Sequence, residues 1–465
     1  MSTVRSRVVG IGVGVAMTAS LVAVGTADLW VPAPGDRDPV LPTQRVSPSS
    51  MTLACAPGIG DPYDAGASLA PGSHWASRGT ISSGAAPSLT AMATAGATGI
   101  PSTLVVAGQG GGELRGLATL PCTAPATEQW IAAGSTAVGE DLLLVLSNPS
   151  GVASQVSISS YGAAGPSEDS PQSVNVPAGQ VVELVPATWF PDQDRPAFRI
   201  SADGPGVSAW VQSSGLDGEV PTGVGAAPAS APGTDLVLPG VRAATSASVR
   251  LVVPGEDTAH VSLGVSGESG MEPLAGAENL EVEAGTPLDV DLTGVPDAPS
   301  TLVVTSDAPV VAMADMRTEG STWPDSDQRF GARTLVVPST ATTAVDLPSL
   351  GDLQDLVKEQ LGATVMRATT VSTPSGGTNV KARVVLSAPS GNAATVSLGT
   401  TGVDLPAGAT MVVDLPTQAG SLSSDRAVHA AVVVDADTPT GPLGSVWPLG
   451  TTGISSLELA VDIAP

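Results

Sequence analysis

Aspartates spaced two apart recur in this sequence, at Asp192 and Asp194, at Asp325 and Asp327, and at Asp435 and Asp437. Carboxylates on loops between strands are the raw material of an oxygen-lined cation site, but calcium asks for about six to eight oxygen ligands. No pair lies in a loop with EF-hand spacing, so each reads as a solvated turn and no metal ligand is assigned. A glycosidase needs two carboxylates about 5–10 Å apart across a cleft. With 44 acidic residues in the chain, nothing in their order singles out such a pair.

Other chemistries leave less. His74, His260 and His429 are far apart and form no H-x-x-x-H pair, so each reads as structural or surface. The G-x-S-x-G and S-x-x-K signatures of serine acyl transfer are absent. Gly108-Gln109-Gly110-Gly111-Gly112 lacks the G-K-[ST] ending of a phosphate loop and reads as a hairpin turn. No catalytic, cofactor-binding or metal residue is therefore named. The candidate contact surface is the loop Thr188 to Arg195, where Trp189 and Phe190 stand beside Asp192, Asp194 and Arg195. Aromatic faces can stack on a sugar or partner while the charges bond its polar groups, and loops on a rigid scaffold are where binding residues gather. The bland alternative is that both rings plug the open end of a sandwich. Trp210 and Trp447, placed in equivalent closing strands, read as core.

What must position these residues is a repeated β unit. The first copy runs LLLVL to Asn148-Pro149, then QVSIS, SVNV, VVELV, FRI, Asp203-Gly204-Pro205 and VSAWV. The order returns after Val249, with Pro254-Gly255 and Asp307-Ala308-Pro309, and after Lys381, with Pro389-Ser390 and Asp437-Thr438-Pro439. A leading strand stands before each copy, at WIAAGST, TDLVLPG and RTLVVPS. About seven short alternating strands in roughly 100 residues, separated by Gly and Pro turns, is the pattern of an immunoglobulin-like sandwich. The fold class is thus all-β: three tandem immunoglobulin-like β-sandwich modules and an irregular N-terminal β region, behind a transmembrane or signal segment.

The expected boundaries are a signal or anchor helix over 1–30, a Pro- and Ser-rich linker over 31–50, and the N-terminal β region over 51–127. Modules follow at 128–213, 233–320 and 333–449, with a C-terminal strand in 450–465. The stretch 214–234, rich in Gly, Ala and Pro, reads as a flexible connector. Inside the third module, Leu350, Leu353, Leu356, Val357 and Leu361 have helical spacing and mark a short amphipathic helix, packed over a sandwich end or docking a partner.

Arg5 and Arg7 precede an apolar run from Val8 to Ala27. The run is long enough to span a membrane, and Gly25-Thr26-Ala27 would also suit cleavage, so anchor and cleaved signal both stand. Either exports the remainder. Cys55 and Cys122 are the only cysteines, and in an exported chain they read as one disulfide rather than two free thiols. With 18 basic against 44 acidic residues, formal net charge −26, nucleic acid is an unfavourable partner.

The run CTAPATEQWIAAGSTAVGEDLLLVLSNPSGVASQVSISSYG at Cys122 to Gly162, with VPAGQVVELVPA and SADGPGVSAWV after it, resembles a family of exported actinobacterial proteins catalogued only as a domain of unknown function. The resemblance implies a secreted or membrane-anchored envelope protein and supplies no catalytic residue. The expected function is a non-enzymatic, extracytoplasmic array of β-sandwiches that scaffolds or binds envelope components, held to the membrane through its N-terminal helix or secreted, with an envelope protein or glycan as partner and no cofactor. The alternative is an enzyme or accessory factor acting on envelope glycan.

Overall fold

A strand with one buried face alternates in its side chains, and Ser154–Gly162 does so: Val156 and Ile158 are buried while Gln155 is exposed. The computed structural model describes residues 43–46, 50–62, 70–83, 86–92, 101–324, 326–362, 377–388, 391–450 and 457–460. Its architecture is all-β, with one α-helix among the described residues. The expected signal or anchor segment lies outside them. Among the described residues no helix is long and apolar enough to cross a membrane.

The three copies are sandwiches with the same strand pairing. In the first, Glu128–Ile131 pairs with Ala197–Ala202, which pairs with Ser154–Gly162, which pairs with Gln172–Val176. The facing sheet joins Gln180–Leu184, Glu140–Asn148, Ser208–Asp217 and Gly225–Pro228 in that order. Numbered along the chain, the sheets read 1-6-3-4 and 5-2-7-8. The second sandwich repeats this order with Gly233–Val241, Ser246–Val252, Ala259–Gly267, Leu280–Val282, Leu288–Asp291 and Arg329–Val336, where the single strand Ser300–Thr322 serves as both sixth and seventh. The third uses Thr342–Leu347, Asn379–Ser387, Ala394–Leu398, Thr401–Leu405, Thr410–Asp414 and Gly441–Leu449, with Gly420–Thr438 again crossing between the sheets.

At each corner between strands six and seven an aspartate accepts the backbone N–H of the second residue of strand three. Asp203 Oδ1 takes Gln155 N at 2.7 Å, Asp307 Oδ1 takes His260 N at 2.8 Å, and Asp425 Oδ1 takes Thr395 N at 2.8 Å. The third corner is therefore at Asp425. Asp437-Thr438-Pro439, expected there, falls in the seventh-to-eighth connection, because strands seven and eight form a hairpin whose turn has the same Asp and Pro. The dipeptides Asn148-Pro149 and Pro254-Gly255 do share the second-to-third turn; Pro389-Ser390 lies outside the described residues.

Two further expectations are corrected. RTLVVPS does not lead the third sandwich but lies mostly in the eighth strand of the second, paired with Ser300–Thr322. The supposed connector after Ser214 is no free linker, since Gly225–Pro228 is the eighth strand of the first sandwich. Alternation shows which face a strand buries but not which neighbour it pairs with, so an eighth strand could be assigned to either side. Trp210 and Trp447 are both buried, but on a seventh and an eighth strand rather than equivalent ones.

Each 5-2-7-8 sheet is buried on both faces, which explains the doubly apolar runs such as LLLVL. Leu143, Val145 and Trp210 pack on the N-terminal β region; Val252, Val311, Met313 and Leu335 join the core of the first sandwich; Val385, Ala431, Val433 and Val446 join that of the second. Each such side chain contributes about 1.5–3 kcal/mol when fully buried.

The N-terminal region is built on the hairpin Thr103–Gln109 and Gly116–Leu120, turned through the expected glycine run. This hairpin meets all three sandwiches. Gly116 bridges Val224 of the first; Arg115 donates to the Gly331 carbonyl of the second and to Thr440 Oγ1 of the third, at 2.6 Å; Thr119 Oγ1 donates to Ser445 Oγ at 3.0 Å. The helix Leu350–Gly362 starts at Ser349, whose Oγ accepts Asp352 N at 3.0 Å, and buries Leu353, Val357 and Leu361 in the cluster that also holds Leu104, Val106 and Trp447. By itself, a separate small sheet pairs Thr43–Val46, inside the expected linker, with Leu457–Ala460.

Candidate functional site

Thr136 fixes the contact loop. Its Oγ1 donates to the Phe190 carbonyl at 2.7 Å and accepts Gln193 N at 3.0 Å. Phe190 is 1% exposed and packs in the first core near Phe198, so it is removed from the contact surface. An aromatic ring beside an unfilled sandwich end gains more by entering the core than by facing water. Trp189 stays half-buried, edge-on to Phe190. Asp192 and Asp194 are exposed and Arg195 half-buried. With Gln193, Asp289 and the turn at Ala163, Ala164 and Pro166 they line a groove of mixed polarity between the first two sandwiches. Asp289 is held in turn by Arg250, which binds it at 2.7 Å and donates to the Gly134 and Pro196 carbonyls at 2.7 and 2.9 Å.

The remaining nominated acids are dispersed. Asp435 is held by Arg242 at 2.6 Å and Arg383 at 2.7 Å. Burial pushes its pKa up, but the two arginines outweigh this and leave it lowered. Asp327 and Asp437 are exposed, and Asp325 lies outside the described residues. Among the described residues no group of three or more His, Cys, Asp or Glu gathers to hold a metal. Cys55 and Cys122 are joined in a disulfide within the N-terminal core.

The arginines have the roles that sequence reasoning missed. Arg333 is buried and binds Glu140 Oε2 at 2.6 Å, with Arg317 on Oε1 at 2.7 Å. Arg115 lies 5.7 Å over the Phe330 ring, and burial lowers its pKa to about 10. No spacing signal could have found them, since Glu140 lies 193 residues from Arg333 and Thr440 lies 325 residues from Arg115.

A second cavity, of about 350 Å³, opens where the N-terminal region and all three sandwiches meet. Its walls include Pro121, Leu236, Val337, Val345, Trp447 and Leu449. His429 lines it, with Nδ1 3.0 Å from the Ser339 carbonyl and 3.1 Å from Ser339 Oγ. A carbonyl can only accept, so Nδ1 carries the proton and Nε2 is an acceptor. Burial depresses the imidazole pKa below 6.5, against the opposing effect of the Ser339 carbonyl. Thr123 and Ser230 also line the cavity, but their hydroxyl oxygens are buried away from it, with no hydrogen-bond partner among the described residues. These residues come from separate stretches of chain, and no motif announces them.

The model of one protein family, DUF5719, a family of unknown function, matches residues 79–353, from the N-terminal region through the first two sandwiches to the start of the helix. No curated protein and no solved structure matches the chain.

Proposed function

Because the chain belongs to the DUF5719 family, which is defined without an activity, we propose that it is a non-enzymatic, extracytoplasmic protein of the cell envelope, a rigid assembly of immunoglobulin-like β-sandwiches that scaffolds or binds envelope components. Residues 1–30 would export it and either anchor it or be cleaved. The carrying observation is the interlocking of three sandwiches around one hairpin through Arg115, Arg333 and close backbone contacts. Such interlocking suits a body that presents surfaces in fixed relation. The Cys55–Cys122 disulfide supports an oxidising compartment. The groove lined by Gln193, Asp194 and Arg195 offers carboxylate, amide and guanidinium groups to a glycan's hydroxyls or to a protein loop.

The test has two arms. Ser397, exposed on the third sandwich, is changed to Cys and intact producing cells are treated with a membrane-impermeant maleimide; labelling before lysis is expected, and labelling only after lysis overturns the location. Purified protein should co-sediment saturably with isolated envelope material, and Asp194→Ala with Arg195→Ala should weaken this without lowering Tm. Absence of saturable co-sedimentation removes the binding role.

A further inference from the structure

We propose that the groove between the second and third sandwiches binds a small zwitterion, a molecule that carries one oxyanion and one primary ammonium. It measures about 540 Å³, within the roughly 300–1,000 Å³ of ligand sites. Arg242 and Asp297 line it from the second sandwich, and Lys381, Arg383, Asp435 and Asp437 from the third. It is separate from the groove of Asp194 and Arg195 and does not depend on where the protein resides.

The neighbouring junction shows what such a groove looks like when it is closed. On strand two of the second sandwich Arg250 stands between Asp289 and Met313, and on strand two of the third Arg383 stands between Asp414 and Val433, so the two arginines are equivalent. Arg250 is fully used: Asp289 takes its Nε and Nη2 at 2.7 and 2.9 Å, and the Gly134 and Pro196 carbonyls accept from Nη1. The space beside it is only about 220 Å³. Arg383 gives one side-chain hydrogen bond, from Nη2 to Asp435 Oδ2 at 2.7 Å, and its Nε and Nη1 have no partner among the described residues. Arg242 likewise gives only Nη2, to Asp435 Oδ1 at 2.6 Å. Gly444 makes room for this, since a Cβ there would stand 2.9 Å from Arg242 Nη2.

Two guanidiniums therefore share one carboxylate, which leaves a surplus positive charge and free N–H donors in a half-buried setting. Lys381, exposed and opposite Asp435 where the second sandwich has Ser248 opposite Asp315, adds a second unspent cation. Asp297 and Asp437 are exposed and have no ion pair among the described residues, so the same groove also holds two unspent carboxylates.

These charges define the ligand. A simple anion would meet Asp297 and Asp437, and a simple cation would meet Lys381 and the guanidiniums; a zwitterion satisfies both sets. The guanidinium fork matches a carboxylate or phosphate oxyanion. No aromatic ring is among the described lining residues, so a quaternary ammonium lacks the cage it favours, whereas a primary ammonium can bond the carboxylates. The ends of a short peptide and an aminoethyl phosphodiester headgroup both present this chemistry. Pairs at exposed positions are individually weak and screened by salt, so affinity is modest and falls with ionic strength.

The probes are trialanine and glycerophosphoethanolamine, titrated into the full chain by calorimetry at low ionic strength. Their single-charge counterparts are N-acetyl-trialanine and trialanine amide for the first, dimethyl phosphate and ethanolamine for the second. Saturable binding of a zwitterion is expected, with its counterparts at least about fivefold weaker. Preference for trialanine identifies a peptide source, and preference for the phosphodiester a headgroup source. Lys381→Gln should weaken the bound zwitterion about two- to five-fold with Tm of the free protein unchanged. Asp297→Asn with Asp437→Asn should bring the single-anion probe level with the zwitterion. The proposal is overturned if neither zwitterion binds saturably, if a single-charge probe binds the parent protein as tightly, or if the variants leave this discrimination intact. It is equally overturned if weakening appears only where Tm falls.

Discussion

Arg333 Nη2 stands 2.6 Å from Glu140 Oε2, and the two residues belong to different sandwiches. The Arg333 side chain has no exposed surface, and that of Glu140 is 19% exposed. Burial raises the Glu140 pKa, but the charges and hydrogen bonds of Arg333 and Arg317 outweigh it and leave the carboxyl lowered. The pair therefore holds its charges because each has the other, and it does so at the boundary where the first two sandwiches meet.

Glu140→Gln should lower stability by about 1–3 kcal/mol, since the buried Arg333 guanidinium loses its nearest carboxylate and keeps only Asp315, 3.5 Å away. Adding Arg333→Met should recover part of that loss. Chemical denaturation followed by tryptophan fluorescence measures both; a single variant as stable as the parent would show that the charges are not paired in solution.

Acid should destabilise the protein in two stages. His429 and His74 are lowered by burial, so the unfolded chain takes up protons first. Their contribution is whole above the ordinary value of 6.5 and falls as pH drops toward the folded values. Among the described residues, Asp235 is the one other titratable group lining the cavity with His429. Glu140 and Asp435 are lowered as well, so their contribution is whole above 4.5 and 3.8 and is lost as pH falls through the folded values. Glu183, raised by burial, acts in the opposite sense just above 4.5 and blunts the onset. Tm plotted against pH should be level above about 7 and decline in two steps. His429→Gln should flatten the first step, and a Tm that rises between about pH 7 and 5 would contradict the assignment.

Gly331 has no room for a side chain: a Cβ there would collide with the Thr222 carbonyl across the boundary of the first two sandwiches. Gly331→Ala should cost about 1–3 kcal/mol by overpacking and open that boundary to limited proteolysis. Gly255→Ala, where a Cβ meets open space, is the control and should leave both unchanged.

The order of strands and the turns between them were legible because alternation and Gly or Pro punctuation are local signals. The helix was legible too: the spacing of Leu353, Val357 and Leu361 is the face that is buried. Partnership was not. RTLVVPS has the same composition whether it closes one sandwich or opens the next, and the corner aspartate of the third copy is Asp425, which precedes no proline. Within the contact loop, adjacency suggested that Trp189 and Phe190 share a fate, yet only Phe190 enters the core. The junction cavity was least legible, because Thr123, Ser230, Ser339 and His429 are brought together by packing between units rather than by any spacing along one.

The meeting of three eighth strands at the hairpin of Arg115 and Gly116 bears on how such a chain can change over generations. In a linear repeat protein each unit touches only its neighbours, so copies are gained or dropped at modest cost. Here a deleted sandwich would expose Gly116, Arg115 or Thr119 together with the doubly buried sheets they adjoin. Loss of a copy is thereby opposed by geometry, and divergence is directed into the loops.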